Sequence, residues 1–99
     1  MDQQRKHSRI EFETDVELII DGKSQSGRTI NISQGGILID TTPLPEFGQK
    51  LILKIELPGV NKISEISTIV RWNNKVQIGL QFEQLRPIEV WAINKLSRK

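Results

Sequence analysis

Between Ile10 and Ile20 the chain alternates strictly, with Ile10, Phe12, Thr14, Val16, Leu18 and Ile20 set against Glu11, Glu13, Asp15, Glu17 and Ile19. A period of two over this length predicts a half-buried strand with an acidic outer face. The "DGK" that follows, residues 21–23, is a turn signal, and the next segment, "SQSGRTINI", continues as a strand in which Gly27 predicts a bulge. "GILID", 36–40, is a third apolar run, and Pro43, Pro45 and Gly48 make "TTPLPEFG" a long connection. "KLILKIEL" then alternates Leu51, Leu53, Ile55 and Leu57 with Lys50, Ile52, Lys54 and Glu56. "ISEISTIVRW" places Ile66, Thr68, Val70 and Trp72 on one face, and "VQIGLQF" does the same with Val76, Ile78, Leu80 and Phe82. About six antiparallel strands result. Short strands joined by turn residues predict a small barrel or sandwich, in which closure removes exposed edges.

The tail changes period. In "RPIEVWAINKLSRK" Pro87 suits a first helical turn, and Ile88, Trp91, Ala92 and Leu96 fall on one stripe. Lys95, Arg98 and Lys99 stand where the helix dipole favours cations. The reading is therefore an all-β, six-stranded antiparallel β-barrel over 10–83, one C-terminal α-helix over 86–98 in which Trp91 belongs to the core, and a flexible N-terminal arm over 1–9. All of it falls in a single domain, 1–99.

Composition narrows the partners. A chain of 99 residues with 36% apolar and 26% charged residues suits one soluble domain, burying roughly 60 to 70% of its unfolded surface. Nothing approaches a membrane span, and "MDQQRKHSR" lacks the apolar core of a signal peptide, so a cytoplasmic location without membrane insertion is expected. Without cysteine and with one histidine, no metal site or cofactor is expected. The net charge of +2 is weak as a whole but concentrated in the arm, where Arg5, Lys6 and Arg9 surround His7. Generic DNA or RNA binding is not expected, because the acidic first strand opposes it.

Candidate chemistry is correspondingly narrow. Ser33 has no neighbouring histidine, the outward carboxylates of the first strand read as a solvated face, and no phosphate-loop glycine pattern is present, so no catalytic residue is assigned. "NISQGG", residues 31–36, offers the Asn31 amide, the Ser33 hydroxyl and, at Gly35 and Gly36, a backbone free to approach a ligand. That arrangement suits a planar, hydrogen-bonding heterocycle, or else a plain polar turn.

Arg5 and Arg9 form R-x-x-x-R directly before the first strand, and Asn31, Ser33 and Gly36 form [D/N]-x-S-x-x-G between the second and third. Together, in this order, they resemble the bipartite signature of the PilZ domain. "VQIGLQF" is similar to the last-strand G-[LIV]-x-F segment of that family, at Gly79, Leu80 and Phe82. The resemblance implies a six-stranded barrel that binds cyclic di-GMP. It further implies that Arg5 and Arg9 clamp phosphates and guanine edges, that Asn31 and Ser33 read the other guanine, and that Gly35 and Gly36 permit close approach. Lys6, His7 and Trp72 are candidates for secondary contacts. Trp72 keeps two readings, as core or rim packing and as a base-stacking platform.

Two positions depart from the fullest family pattern. Gln4 precedes Arg5 where many members carry another arginine, which bears on whether one ligand or an intercalated pair binds. Asn31 stands where aspartate is common, and it keeps a carbonyl acceptor without the negative charge. The function expected is a cyclic di-GMP receptor that changes its arm on binding and signals to an unidentified downstream protein. The alternative is a ligand-free adaptor of the same family that acts by protein contact, as in type IV pilus or motility machinery.

Overall fold

The first turn after the alternating segment has Asp21 and Gly22 both at positive φ, 51° and 81°, the twist that suits a two-residue hairpin. It joins the second and third of seven strands in the structure, a computed structural model that describes residues 9–97. The strands are β1 (Ile10–Glu11), β2 (Asp15–Ile20), β3 (Lys23–Ile32), β4 (Gly36–Thr41), β5 (Lys50–Ile55), β6 (Ser64–Asn73) and β7 (Gln77–Phe82), followed by the helix α1 (Pro87–Ser97). Every pairing is antiparallel, in the order β1-β3-β2-β5-β6-β7-β4, and β4 pairs back onto β3 to close a six-stranded barrel with β1 as an extra strand. β3 makes closure possible. Its ten residues pair with β2 from Lys23 to Arg28, with β4 along the other edge from Gly27 to Ile32, and with β1 through Asn31 and Ile32.

The single first strand read from the alternation is divided in the structure. The Thr29 hydroxyl donates to the Phe12 carbonyl and accepts from the Thr14 amide (2.8 Å), taking the place of a backbone partner between β1 and β2. The inward alternation survives the break, since Val16 and Leu18 are buried and Phe12 packs on the core. Gly27 causes no bulge. It pairs in register with Val16 and with Thr41, and the register shift on β3 falls one turn of the pleat later, at Ile30, between Thr29 and Asn31.

The barrel interior is filled by Leu18, Ile39, Leu53, Ile66, Val70 and Ile78, all essentially inaccessible, each worth about 1.5–3 kcal/mol of transfer free energy. Val76 does not join them: it is exposed, ahead of the start of β7. The outer acids find cations on neighbouring strands. Asp15 accepts from Arg28 (2.9 Å), and Lys54 lies between Glu17 and Glu65 at 4.0 Å from each.

α1 packs on the core with a different stripe from the one the sequence suggests. Glu89, Ala92 and Ile93 are buried, whereas Ile88 and Trp91 are 43% and 46% exposed. The reason is Glu89, the third helical residue. Its carboxylate reaches back to accept from the Arg86 backbone amide (2.8 Å) and from the Arg86 guanidinium (2.8 and 3.0 Å), the reciprocal half of a capping box. Burial pushes the Glu89 carboxyl up, but the Arg86 amide and guanidinium outweigh it and hold it below the ordinary glutamate value. The buried Ser64 hydroxyl lies beside this carboxylate and adds to the same effect, although it makes no well-formed hydrogen bond in the structure. No described helix is long and apolar enough to cross a membrane. Among the described residues no cluster of His, Asp and Glu could hold a metal ion.

Candidate functional site

Arg9, the last residue before β1, turns its guanidinium onto β3: Nη1 donates to Asn31 Oδ1 at 2.8 Å across 22 positions of sequence. Residues from the two halves of the signature thus meet directly. Arg5, Lys6 and His7 lie outside the described residues.

The bulge at Ile30 is what makes the meeting possible. Thr29 and Ile39 pair facing inward, and strict alternation would turn Asn31 inward as well. With Ile30 inserted, Asn31 pairs with Leu38 on the outer face and Ile32 resumes the core against Ile37. One extra residue re-aims one side chain, a recurring use of bulges beside binding sites.

β6 repeats the device. Ser64, Ile66, Thr68 and Val70 alternate inward, so Trp72 should follow; instead the register shifts at Arg71, and Trp72 pairs with Gly79 and is 48% exposed. A β-carbon at Gly79 would lie 3.3 Å from the Trp72 β-carbon, so the glycine gives the indole its place. The strand reading that set Trp72 on one face with Ile66, Thr68 and Val70 is therefore corrected, and of its two packing readings the core one falls: the tryptophan stands at the surface.

Beside Trp72 and Arg9, the residue that Asn31 holds, lies an open cavity of about 660 Å³, lined by Arg9, Ser33, Gly35, Gly36, Arg71, Trp72 and residues 79–82 of β7. Its size is within the range of small-molecule sites. Two guanidiniums and an indole line it, with no carboxylate among the described lining residues. Arg71 Nε donates to Gln81 Oε1 (2.9 Å), which holds that guanidinium beside β7. The arrangement offers charged donors and an aromatic face to a planar anion.

The "SQGG" turn is built by Ser33. Its buried hydroxyl accepts from the amides of Gly35 and Gly36 (3.3 Å each), while its own amide donates to the Gly36 carbonyl (2.8 Å). The glycine amides, read from sequence as free to approach a ligand, are thus directed at Ser33. Gly36 is also pressed against β7, where an added β-carbon would stand 2.3 Å from the Leu80 carbonyl oxygen. The Gln34 side chain leaves the turn in the other direction and donates to Asn94 Oδ1 on α1.

Sequence reasoning passed over Arg71 and Gln81. An available signal was the arginine directly before Trp72, followed by the tight "NNK" turn that brings β7 alongside.

Comparison with curated proteins gives no match. Among solved structures, the chain resembles the Bacillus subtilis inhibitor of motility MotI/DgrA with a TM-score of 0.78 and 23% identity over 96% of this chain and 50% of that one. It resembles Borreliella burgdorferi PlzA, determined in complex with c-di-GMP, with a TM-score of 0.75 and 16% identity over 96% of this chain and 41% of that one. The PilZ domain of Escherichia coli YcgR, determined with c-di-GMP, gives 0.69 and 13% identity over 95% of this chain and 88% of that one. The chain thus spans half the length of the first and less of the second. The PilZ domain family model matches residues 3–98, and with the closed barrel and the joined signature beneath it, the chain belongs to the PilZ domain family.

Proposed function

We propose that this chain is a cyclic di-GMP receptor that passes the signal to a partner protein. PilZ domain proteins are receptor and adaptor domains rather than enzymes, and the family includes cyclic di-GMP receptors. The observation that carries the reading is the Arg9–Asn31 contact, whose arginine lines a cavity together with a second guanidinium, Arg71, and Trp72. Arginine suits both parts of the nucleotide, because its fork matches phosphate oxygens and equally O6 and N7 of guanine.

In this reading Arg9 and Arg5 hold phosphate and guanine edges, and the Asn31 amide reads a guanine. Ser33 shapes the turn and presents its edge to the ligand, with Gly35 and Gly36 keeping that wall low. Trp72 stacks on a base and Arg71 supplies additional positive charge, while Lys6 and His7 make secondary contacts. Residues 1–9 close over the bound nucleotide and form with it the surface that the partner reads. An adaptor without a ligand would have little use for an open cavity that, among the described residues, is lined by two arginines and no acid.

Isothermal titration with cyclic di-GMP, cyclic di-AMP and GTP tests the reading. Saturable binding of cyclic di-GMP at micromolar concentration or tighter is expected, with the adenine analogue much weaker. Adenine presents an amino donor where guanine has O6, so arginine donors would face a donor. Equal affinity for both dinucleotides would overturn the assignment.

A further inference from the structure

The outward stripe of α1 is apolar and cationic, and no barrel contact buries it. Ile88 and Trp91 are 43% and 46% exposed, and Lys95, one turn on, holds its ammonium 5.5 Å from the centre of the Trp91 ring. The indole rests on the loop between β5 and β6: a β-carbon at Gly59 would lie 2.8 Å from Trp91 Cζ3, so only glycine lets the loop come this close. The same loop adds Lys62 and Ile63, the latter 59% exposed. Over the loop, 56–63, and the helix with its cap, 86–97, the carboxylates are Glu56, exposed at the start of the loop, and Glu89, which is buried and held by Arg86, so that Lys62, Arg86 and Lys95 outnumber the one exposed acid. Glu65, the first acid beyond the loop, faces Lys54 at 4.0 Å.

We propose that Ile88, Trp91 and Lys95 of α1, with Lys62 and Ile63 of the β5–β6 loop, form the docking face for an acidic segment of a partner protein that packs an apolar side chain on Trp91. The rim is cationic, so it selects and steers an acidic partner. The tryptophan is held between Gly59 and Lys95, so little side-chain freedom is lost when a partner covers it, which is the property of an anchor residue. A bilayer calls for a continuous apolar face, whereas here the apolar side chains alternate with cations. The face is also joined to the cavity, since Asn94 beside Lys95 accepts from Gln34 of the cavity-lining turn. That last link rests on the cyclic di-GMP reading; the docking face itself does not.

The test is selection of a phage-displayed random peptide library on the purified full chain, followed by fluorescence polarisation of the enriched peptides. Enriched sequences are expected to combine Asp or Glu with a large apolar residue. W91A is expected to weaken them at least about tenfold, and K62E/K95E to reject them while accepting Glu→Lys versions of the same peptides. Thermal melts check folding, and I88D, at the exposed neighbour, repeats the test should W91A fail to fold. Titration of W91A with cyclic di-GMP separates the two readings: unchanged nucleotide binding with lost peptide binding is expected. Peptides without acidic bias, or bound equally by wild type and all variants, would overturn the proposal. So would phosphatidylglycerol vesicles that bind the wild type and not K62E/K95E while no peptide is enriched, an outcome that gives the face to a membrane.

Discussion

Replacing Gly36 with alanine separates what the signature glycine does for the sheet from what it does for a ligand. The new β-carbon would lie 2.3 Å from the Leu80 carbonyl oxygen, where contacts below 3.0 Å are essentially never tolerated. Because the obstacle is backbone in a paired strand, β4 and β7 must part by at least about 0.7 Å, the difference between those two distances. That movement loosens the Phe82 amide bond to the Gly35 carbonyl (3.0 Å) and the Ser33 amide bond to Gly36 (2.8 Å), each worth about 0.5–1.5 kcal/mol net. It also unpacks Ile37 from Leu80, which face each other in the core. After the about 0.4–1 kcal/mol that alanine returns by restricting the unfolded chain, a loss of about 2–4 kcal/mol is expected. Urea unfolding followed by tryptophan fluorescence measures it, and in a melt the midpoint should fall by roughly 8–32 °C at about 4–8 °C per kcal/mol. Gly79→Ala is the graded control, since its β-carbon meets the Trp72 β-carbon at 3.3 Å, and it should cost less than about 1.5 kcal/mol. A G36A protein as stable as wild type that no longer binds cyclic di-GMP would refute this reasoning and assign the glycine to the ligand.

Arg9→Ala should weaken cyclic di-GMP binding by about tenfold to a hundredfold, the worth of charge-assisted hydrogen bonds, with little change in melting temperature. Asn31→Ala should weaken it too, and the double mutant should lose less than the two single losses combined, because the two side chains are bonded to each other; strict additivity by titration calorimetry would mean that they act separately. For Glu89, whose folded pKa lies below the ordinary 4.5, the stabilisation is present above that value and is lost as pH falls through the folded pKa. E89Q should therefore be about 1–2 kcal/mol less stable at pH 7 and should lose less of its stability on acidification than wild type; parallel pH–stability curves would count against the buried cap. Hydrogen exchange should show cyclic di-GMP raising protection at residues 3–10 and 31–37 while β5 stays level, and no change at 3–10 would remove the closing of the N-terminal segment from the mechanism.

The barrel was legible because its strands obey one rule, inward apolar positions at a period of two, over most of their length. Departures from that rule are the places where reading failed. A bulge leaves no mark in composition: Gly27 looked like one and pairs in register, whereas Ile30 and Arg71 carry nothing that distinguishes them from their neighbours. Since Trp72 follows one of these, its orientation could not be had from alternation. The helix stripe misled for a different reason. A tryptophan looks like core and a glutamate like surface, yet Arg86 satisfies Glu89 from the helix N-terminus, so the acid is buried and Trp91 turns outward. Arg9 and Asn31 were legible as a pair through the family signature, but the hydrogen bond between them depends on the bulge at Ile30. Arg71 and Gln81 belong to no motif and are joined to the cavity only by the neighbouring of β6 and β7.

Because Ile30 and Arg71 are each a single supernumerary residue, they are slack in their strands and take no part in the pairing with β4 and β7. Losing the codon for Ile30 would leave Thr29, Asn31 and Ile32 opposite Ile39, Leu38 and Ile37 in an unbroken ladder, so Asn31 would still face outward. Losing Arg71 would similarly leave Trp72 opposite Gly79 and directly after inward Val70, with the indole outside. A descendant of this gene could therefore drop the codon for Ile30 and keep its outward asparagine, and a motif search that allows one residue fewer between the two halves of the signature would still find it.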